Sequence, residues 1–395
     1  MTVQDRVFIA GAGPVGLVAA ANLVRAGVPV TLFEVGPDLS EESRASTFHP
    51  PTLDMLHALG AAQPLIAQGL IAPRFQYRTK QRGLLAQFDF GGIADATGHP
   101  YRVQSEQSKL TRILLEQLRS QPGFEIAFNS AVRGVTQDQS SVAVTIENDG
   151  RVETRTGRWL IGADGASSSV RRALGVSFEG FTWPDRLLVV STPFDFHGVI
   201  PDLVAVNYVA DAERWHFLLQ IPGLWRVMFL IKEGESDELA LSRAFAQSLM
   251  TGVVPGIADY EIAHVTLYKV HQRVASTFRL GRAFLAGDAA HINNPLGGMG
   301  MNGGIHDAVN LTDRLAAVWH GRADDAELDR YDRQRRLVTL ETIQTQTIQN
   351  KKNLEAPEPD FRQGLERIKA DPARTYEYLL RVSMIATLRR ADELG

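Results

Sequence analysis

An acid, a glycine-rich loop and a helix start fall within one short stretch, Phe284 to Leu311 (FLAGDAAHINNPLGGMGMNGGIHDAVNL). Asp288 follows a small apolar run that reads as a strand end. Pro295, Gly297, Gly298 and Gly300 form a loop in which backbone can approach a ligand closely. An amphipathic helix is expected from about Met301, and amides at a helix start carry partial positive charge. The stretch is suited to holding an electron-rich ring.

A second ligand signature opens the chain. The apolar run Arg6 to Ala10 leads into Gly11-Ala-Gly13-Pro-Val-Gly16, then an Ala-rich helix closed by Gly27, then a strand, Val30 to Phe33, that ends on Glu34. Gly11 permits a tight turn, Gly13 lets backbone approach a pyrophosphate, and Gly16 allows helix and strand to pack closely. Glu34 would accept hydrogen bonds from a ribose. Strand, helix, strand and acid stand at the spacing of the βαβ dinucleotide fingerprint, so a dinucleotide is the expected ligand. Arg44 is either a solvated surface arginine or a guanidinium reaching back to the pyrophosphate or to the edge of a bound ring.

The elements that must position these residues divide in three. Residues 1–72, 100–180 and 271–325 are expected to form a discontinuous nucleotide-binding domain of Rossmann type. Residues 73–99 and 181–270, rich in β-type runs between turns, are expected to form an inserted antiparallel-sheet substrate domain. Residues 326–395 read as a C-terminal helical region. Within it Glu327 to Asn353 is predicted as one long polar helix, which could support a homodimer. On the strand around Trp215, Phe217 and Leu219 share one face with it, while His216, Leu218 and Gln220 share the other. That second face could line a ligand cavity, or lie against a helix or solvent.

Composition narrows the function classes. The net charge is −4 and no Lys/Arg run occurs, which argues against nucleic acid. No stretch reaches the roughly 18 apolar residues of a membrane span, and the N-terminus has no signal-peptide pattern. The absence of cysteine excludes disulfides, thiolate metal sites and a Cys nucleophile, and no metal site is expected. A soluble cytoplasmic protein is the resulting expectation.

Three motifs together resemble the single-component flavin-dependent aromatic hydroxylases, the group that includes para-hydroxybenzoate hydroxylase and the phenylpropionate hydroxylases. They are GAGPVG at 11–16, Asp164-Gly165-Ala-Ser-Ser168-Ser-Val-Arg171, and Gly287-Asp288 with the downstream Pro295, Gly297, Gly300 and Asn302. Their order and separation fit along about the first 335 residues. The resemblance implies an α/β fold of the para-hydroxybenzoate hydroxylase kind and FAD as cofactor. It makes Arg44 and Gln107 flavin contacts, gives Asp288 the ribityl chain, and has Asp164 touch FAD near the pyrophosphate. The amides of Met301 and Asn302 would face the flavin pyrimidine, where negative charge settles on reduction. Ser168 and Arg171 either serve this site or chiefly cap and brace their helix.

The activity implied is hydroxylation of a small phenolic or heteroaromatic ring by O2, with NADH or NADPH as a transient reductant and a C4a-hydroperoxyflavin as oxygen donor. No second GxGxxG occurs, which fits a nicotinamide cofactor that only visits, and no arginine directly follows Glu34 to meet a 2′-phosphate, so NADH is slightly favoured. The carbonyl of Pro295 is expected beside the substrate hydroxyl. Tyr208 and His216 are candidates to contact or deprotonate a phenol, and His291 is either a proton relay or a packed histidine. The alternatives are a related epoxidase, halogenase or reductase on the same scaffold, or a non-catalytic FAD-binding sensor. The halogenase WxWxIP signature is not found.

Overall fold

The computed structural model describes residues 5–41, 45–211, 213–254, 256–356 and 358–395. A six-stranded sheet carries the nucleotide fingerprint, in the order Arg279–Leu280, Ala283–Leu285, Trp159–Gly162, Val7–Ala10, Val30–Phe33, Phe124–Ala127. Every neighbouring pair is parallel except the first. Val7–Ala10 lies in the middle with each residue at most 2% exposed, as a strand covered on both faces must be, hence its unbroken apolar run. From it the chain turns through Gly11 (φ +101°) into the helix Pro14–Arg25. A Cβ on Gly16 would lie 2.0 Å from the Gly11 carbonyl oxygen, so the packing of that turn on its helix depends on the missing side chain.

The second sheet has eight strands: His291–Ile292, His264–Ala275, Phe178–Thr192, Leu224–Ile231, His216–Ile221, Val206–Ala210, Arg74–Thr79, Gly83–Asp89. It is antiparallel as expected except where Val206–Ala210 meets Arg74–Thr79, a parallel pair between segments far apart in sequence. One face buries Leu188, Leu218, Val227 and Phe229 in a cluster with Ala246 and Met250 of the helix Arg243–Thr251. The other buries Tyr208, Phe217 and Leu230 with Phe361, Leu365 and Leu379 of the C-terminal helices. Each large apolar side chain so buried contributes about 1.5–3 kcal/mol, so helices cover both faces of the inserted sheet. His291–Ile292 joins this sheet only a few residues beyond Asp288, coupling the two halves of the molecule.

The long helix expected over Glu327 to Asn353 is interrupted. An α-helix ends at Val338, a wider π turn covers Thr339–Gln344, and α-geometry resumes from Thr345 to Glu355. The wide turn carries Thr339, Ile343 and Gln344 inward: Ile343 packs on Met299 and Met384, and the Gln344 amide donates to the Ile292 carbonyl at 3.2 Å. Polar spacing along the segment carries no sign of that irregularity.

Candidate active site

A cavity of about 720 Å³ connects the two sheets. Gly11, Gly13 and Glu34 line one end, Asp164 and Asp288 the middle, and Pro295, Gly300 and Met301 the far end against the inserted sheet. Its volume lies in the range of cofactor sites, roughly 300–1,000 Å³.

At the first end the Glu34 carboxylate accepts from the amides of Ala12 (2.7 Å) and Gly36 (2.9 Å), which holds it at the strand end facing the cavity. A Cβ on Gly13 would meet no atom within 4 Å, so this glycine leaves open space where a phosphate would approach the start of the Pro14–Arg25 helix. Gly16 supports the turn from behind. Gln107 lines the cavity at the start of the helix Gln107–Arg119, and Asp288, in a short turn after Ala283–Leu285, is exposed to the cavity. Arg44 lies outside the described residues.

Asp164 is more committed than its sequence suggests. Its carboxylate accepts from the Ser168 hydroxyl, the Ser169 hydroxyl and the amides of Ser169 and Val170. Ser168 in turn caps the short helix Ser169–Ala173 by accepting from the Arg171 amide at 2.9 Å. Arg171 donates to the carbonyls of Ala289 and Ala166, both at 2.8 Å, and stacks on Phe178. The bracing reading of Ser168 and Arg171 therefore holds, and Asp164 forms cavity wall by holding the same turn.

At the far end the helix Met299–Trp319 begins two residues before the expected start, so the amides of its first turn belong to Met299, Gly300 and Met301. Asn302 does not line the cavity: its side chain is buried, donating to the carbonyls of Thr47 and Gly298 and accepting from the His49 amide at 2.9 Å. It fixes the helix start against residues 47–49. Beneath the loop, fully buried Asp307 accepts from the Gly287 amide (3.1 Å), His291 Nε2 (2.7 Å) and Arg335 Nε (2.7 Å). Burial alone would raise its pKa, but His291 and Arg335 outweigh that and hold the carboxyl well below the usual range. His291 is thus a packed partner of this network, and the network anchors the Gly287-Asp288 turn.

Strand register builds the opposite wall. Tyr77, Tyr208, Phe217 and Met228 are direct cross-strand neighbours on four adjacent strands, and Leu219 pairs with Arg226 in the next row. Alternation along the strand exposes Phe217 and Leu219 to the cavity, so the expected cavity face of this strand is corrected. His216 points to the other side, buried beside Phe229, and burial pulls its pKa down to about 4. It does not line the cavity, whereas Tyr208 does. Arg226 and Tyr268, also in this wall, were not singled out from sequence. Arg226 is buried, and burial lowers its pKa against the opposing pull of Tyr268 and Glu106. It is the one charge in the apolar run LWRVMFLI, the signal by which it could have been found.

The open cradle at Gly13, the acid at the strand end and a long cavity ending at a helix start fit FAD. Comparison with known proteins gives the same assignment. The family described as FAD binding domain matches residues 4–346. A para-nitrophenol 4-monooxygenase of Pseudomonas sp. (strain WBC-3) is 36% identical over 352 residues, covering 86% of this chain and 85% of that one. A 6-hydroxy-3-succinoylpyridine 3-monooxygenase of Pseudomonas putida (strain DSM 28022 / S16) is 34% identical over 365 residues, 91% of each. The crystal structure of a p-nitrophenol 4-monooxygenase from Pseudomonas putida DLL-E4 superposes with a TM-score of 0.90 at 31% identity, over 97% of this chain and 99% of that one. Alike in sequence and fold over most of its length, the chain belongs to the FAD binding domain family and, within it, to the single-component flavoprotein aromatic monooxygenases.

Proposed function

We propose that this monooxygenase hydroxylates a small ring bearing a hydroxyl group, using O2 and reduced nicotinamide cofactor, NADH in preference to NADPH. The observation that carries the reading is the single cavity running from the nucleotide fingerprint to an aromatic wall of Tyr208, Phe217 and Tyr268. When bound, FAD supplies the electron transfer and the activation of dioxygen. Glu34 would hold its ribose and Asp288 its ribityl chain. The first-turn amides of Met299–Trp319 would place fixed positive charge at the pyrimidine edge, stabilising negative charge there without solvent reorganisation. The Pro295 carbonyl and the Tyr208 hydroxyl would bracket the substrate hydroxyl, and the C-terminal helices packed beside Tyr208 and Phe217 on the same face would help keep the site dry.

The relatives support the substrate class, since para-nitrophenol and 6-hydroxy-3-succinoylpyridine, after which two of them are named, both carry a hydroxyl on a six-membered aromatic ring. Glu34 is followed by Val35 and Gly36, leaving no adjacent cation for a 2′-phosphate, which favours NADH. A cytoplasmic setting, where that cofactor is available, belongs to the same reading. The test is a screen of phenols and hydroxypyridines for stimulated NADH oxidation, with product mass measured. A gain of one oxygen atom is expected. Purified protein that stays colourless after FAD is added, or fails to yield oxygenated product with any ring compound, would refute the proposal.

A further inference from the structure

Arg102 is a buried cation that no step so far uses. It lies on the short strand Arg102–Gln104 and is 2% exposed. Among the described residues no carboxylate lies within ion-pair distance of it. Its guanidinium lies over the adjoining rings of Phe75 and Phe90, with centroids 5.1 and 5.0 Å away. One nitrogen donates to the carbonyl of Val382, the last residue of the helix Pro372–Val382, at 3.2 Å. Two aromatic faces and the negative end of a helix dipole therefore offset the charge in part. Removing a lone cation from water costs several kcal/mol, so apolar residues would fill this place at lower cost if packing were its whole role.

The remaining polar contact gives the charge a use. Arg102 Nη1 donates to the Tyr208 hydroxyl at 3.3 Å. A guanidinium has donors only, so the Tyr208 oxygen must be the acceptor in this bond. Its own proton is left to point elsewhere, and Tyr208 lines both the active-site cavity and the small hollow lined by Arg102, as Gly297 does. The other titratable groups close by have partners of their own: His49 Nε2 meets the Gly297 carbonyl at 2.8 Å, and burial, with the Arg102 charge, holds its pKa well below the usual histidine range. Tyr77 and Tyr378 bond to each other at 2.8 Å, and burial raises both, Tyr378 to about 12.

We propose that Arg102 is a positioning residue: from the hollow beside the cavity it makes the Tyr208 hydroxyl a donor into the active site, and so makes the site select an aromatic ring whose oxygen is ionised. This rests on the phenol reading above. Charge–dipole alignment carries the effect, since a donor whose oxygen is itself held by a cation is a stronger donor to an anion.

The probe is 4-nitrophenol, whose phenol and phenolate forms differ in colour. The FAD-loaded enzyme, without NADH, is titrated with it across pH, and the ionised fraction of the bound probe is read by difference absorbance. In wild type the bound probe should ionise about one pH unit below the free probe, a tenfold preference for phenolate. Arg102→Met should abolish that shift with FAD content unchanged, and Arg102→Lys should restore part of it. Tyr208→Phe should match Arg102→Met, and the double variant should lose no more than either single one. A wild-type ionisation profile in Arg102→Met overturns the proposal and leaves the phenol reading intact. No binding of 4-nitrophenol or other phenols by wild type overturns both. If Arg102→Met fails to retain FAD, Tyr208→Phe and Arg102→Lys decide: an unchanged profile in Tyr208→Phe overturns the proposal.

Discussion

Replacing Asp307 by asparagine should be among the most damaging isosteric changes in this molecule. Asp307 and Arg335 are both 0% exposed, 2.7 Å apart, and the same carboxylate serves His291 and the Gly287 amide. An asparagine can present one oxygen. Turned to Arg335, it sets its NH2 against the Gly287 N–H; turned the other way, it leaves the guanidinium facing a donor. In either case Arg335 keeps a buried charge without a counter-charge, a loss of about 3–5 kcal/mol, against total stabilities of about 5–15 kcal/mol. Urea unfolding at pH 7.5, followed by circular dichroism and by fluorescence of released FAD, measures it. FAD should be lost ahead of global unfolding, because the Gly287-Asp288 turn loosens first. The pH dependence has a definite sign. A carboxyl depressed below its unfolded value of about 3.9 contributes fully above that pH and loses its contribution as pH falls toward the folded value. The gap between wild type and Asp307→Asn should therefore narrow below about pH 4. A loss under about 1 kcal/mol with FAD retention unchanged would refute the network's anchoring role.

Two glycines of the fingerprint should separate binding from folding. Gly13→Val projects into the open cradle and should abolish FAD binding with little change in apoprotein stability, whereas Gly16→Val drives into the Gly11 carbonyl and should lower the melting temperature sharply. Equal melting temperatures would contradict the packing assigned to Gly16. His216 has a folded pKa of about 4. Since its unfolded value is about 6.5, stability should fall by about 3 kcal/mol between pH 6.5 and 4 as the unfolded chain takes up the proton. His216→Leu should flatten that slope by one proton, with the rate of product formation at pH 7.5 retained; a large loss of rate would return His216 to the reaction. Asp288→Ala should weaken FAD retention, read as flavin content after gel filtration, and unchanged content would remove its ribityl assignment.

Much of the cofactor half was legible because it is local. Gly11, Gly13, Gly16 and Glu34 stand within one βαβ unit, where spacing and residue type define the turn, the helix start and the acid together. Asp288 and the Pro295–Met301 loop are likewise contiguous, and three motifs in order were enough to identify the family. The substrate wall is a different case. Whether Phe217 or His216 faces the cavity differs by one residue of register, and alternation along a strand gives two equivalent answers until the sheet has a side. Tertiary packing supplied it by placing the C-terminal helices and the flavin loop over one face and the helix Arg243–Thr251 over the other. Arg102, Tyr208 and Val382 meet from three distant segments, as do Asp307, His291 and Arg335. Sequence alone determined which cofactor this chain holds, because a short run of backbone suffices to cradle it. Only the tertiary structure decided what stands opposite, because that wall is a juxtaposition of side chains far apart along the chain.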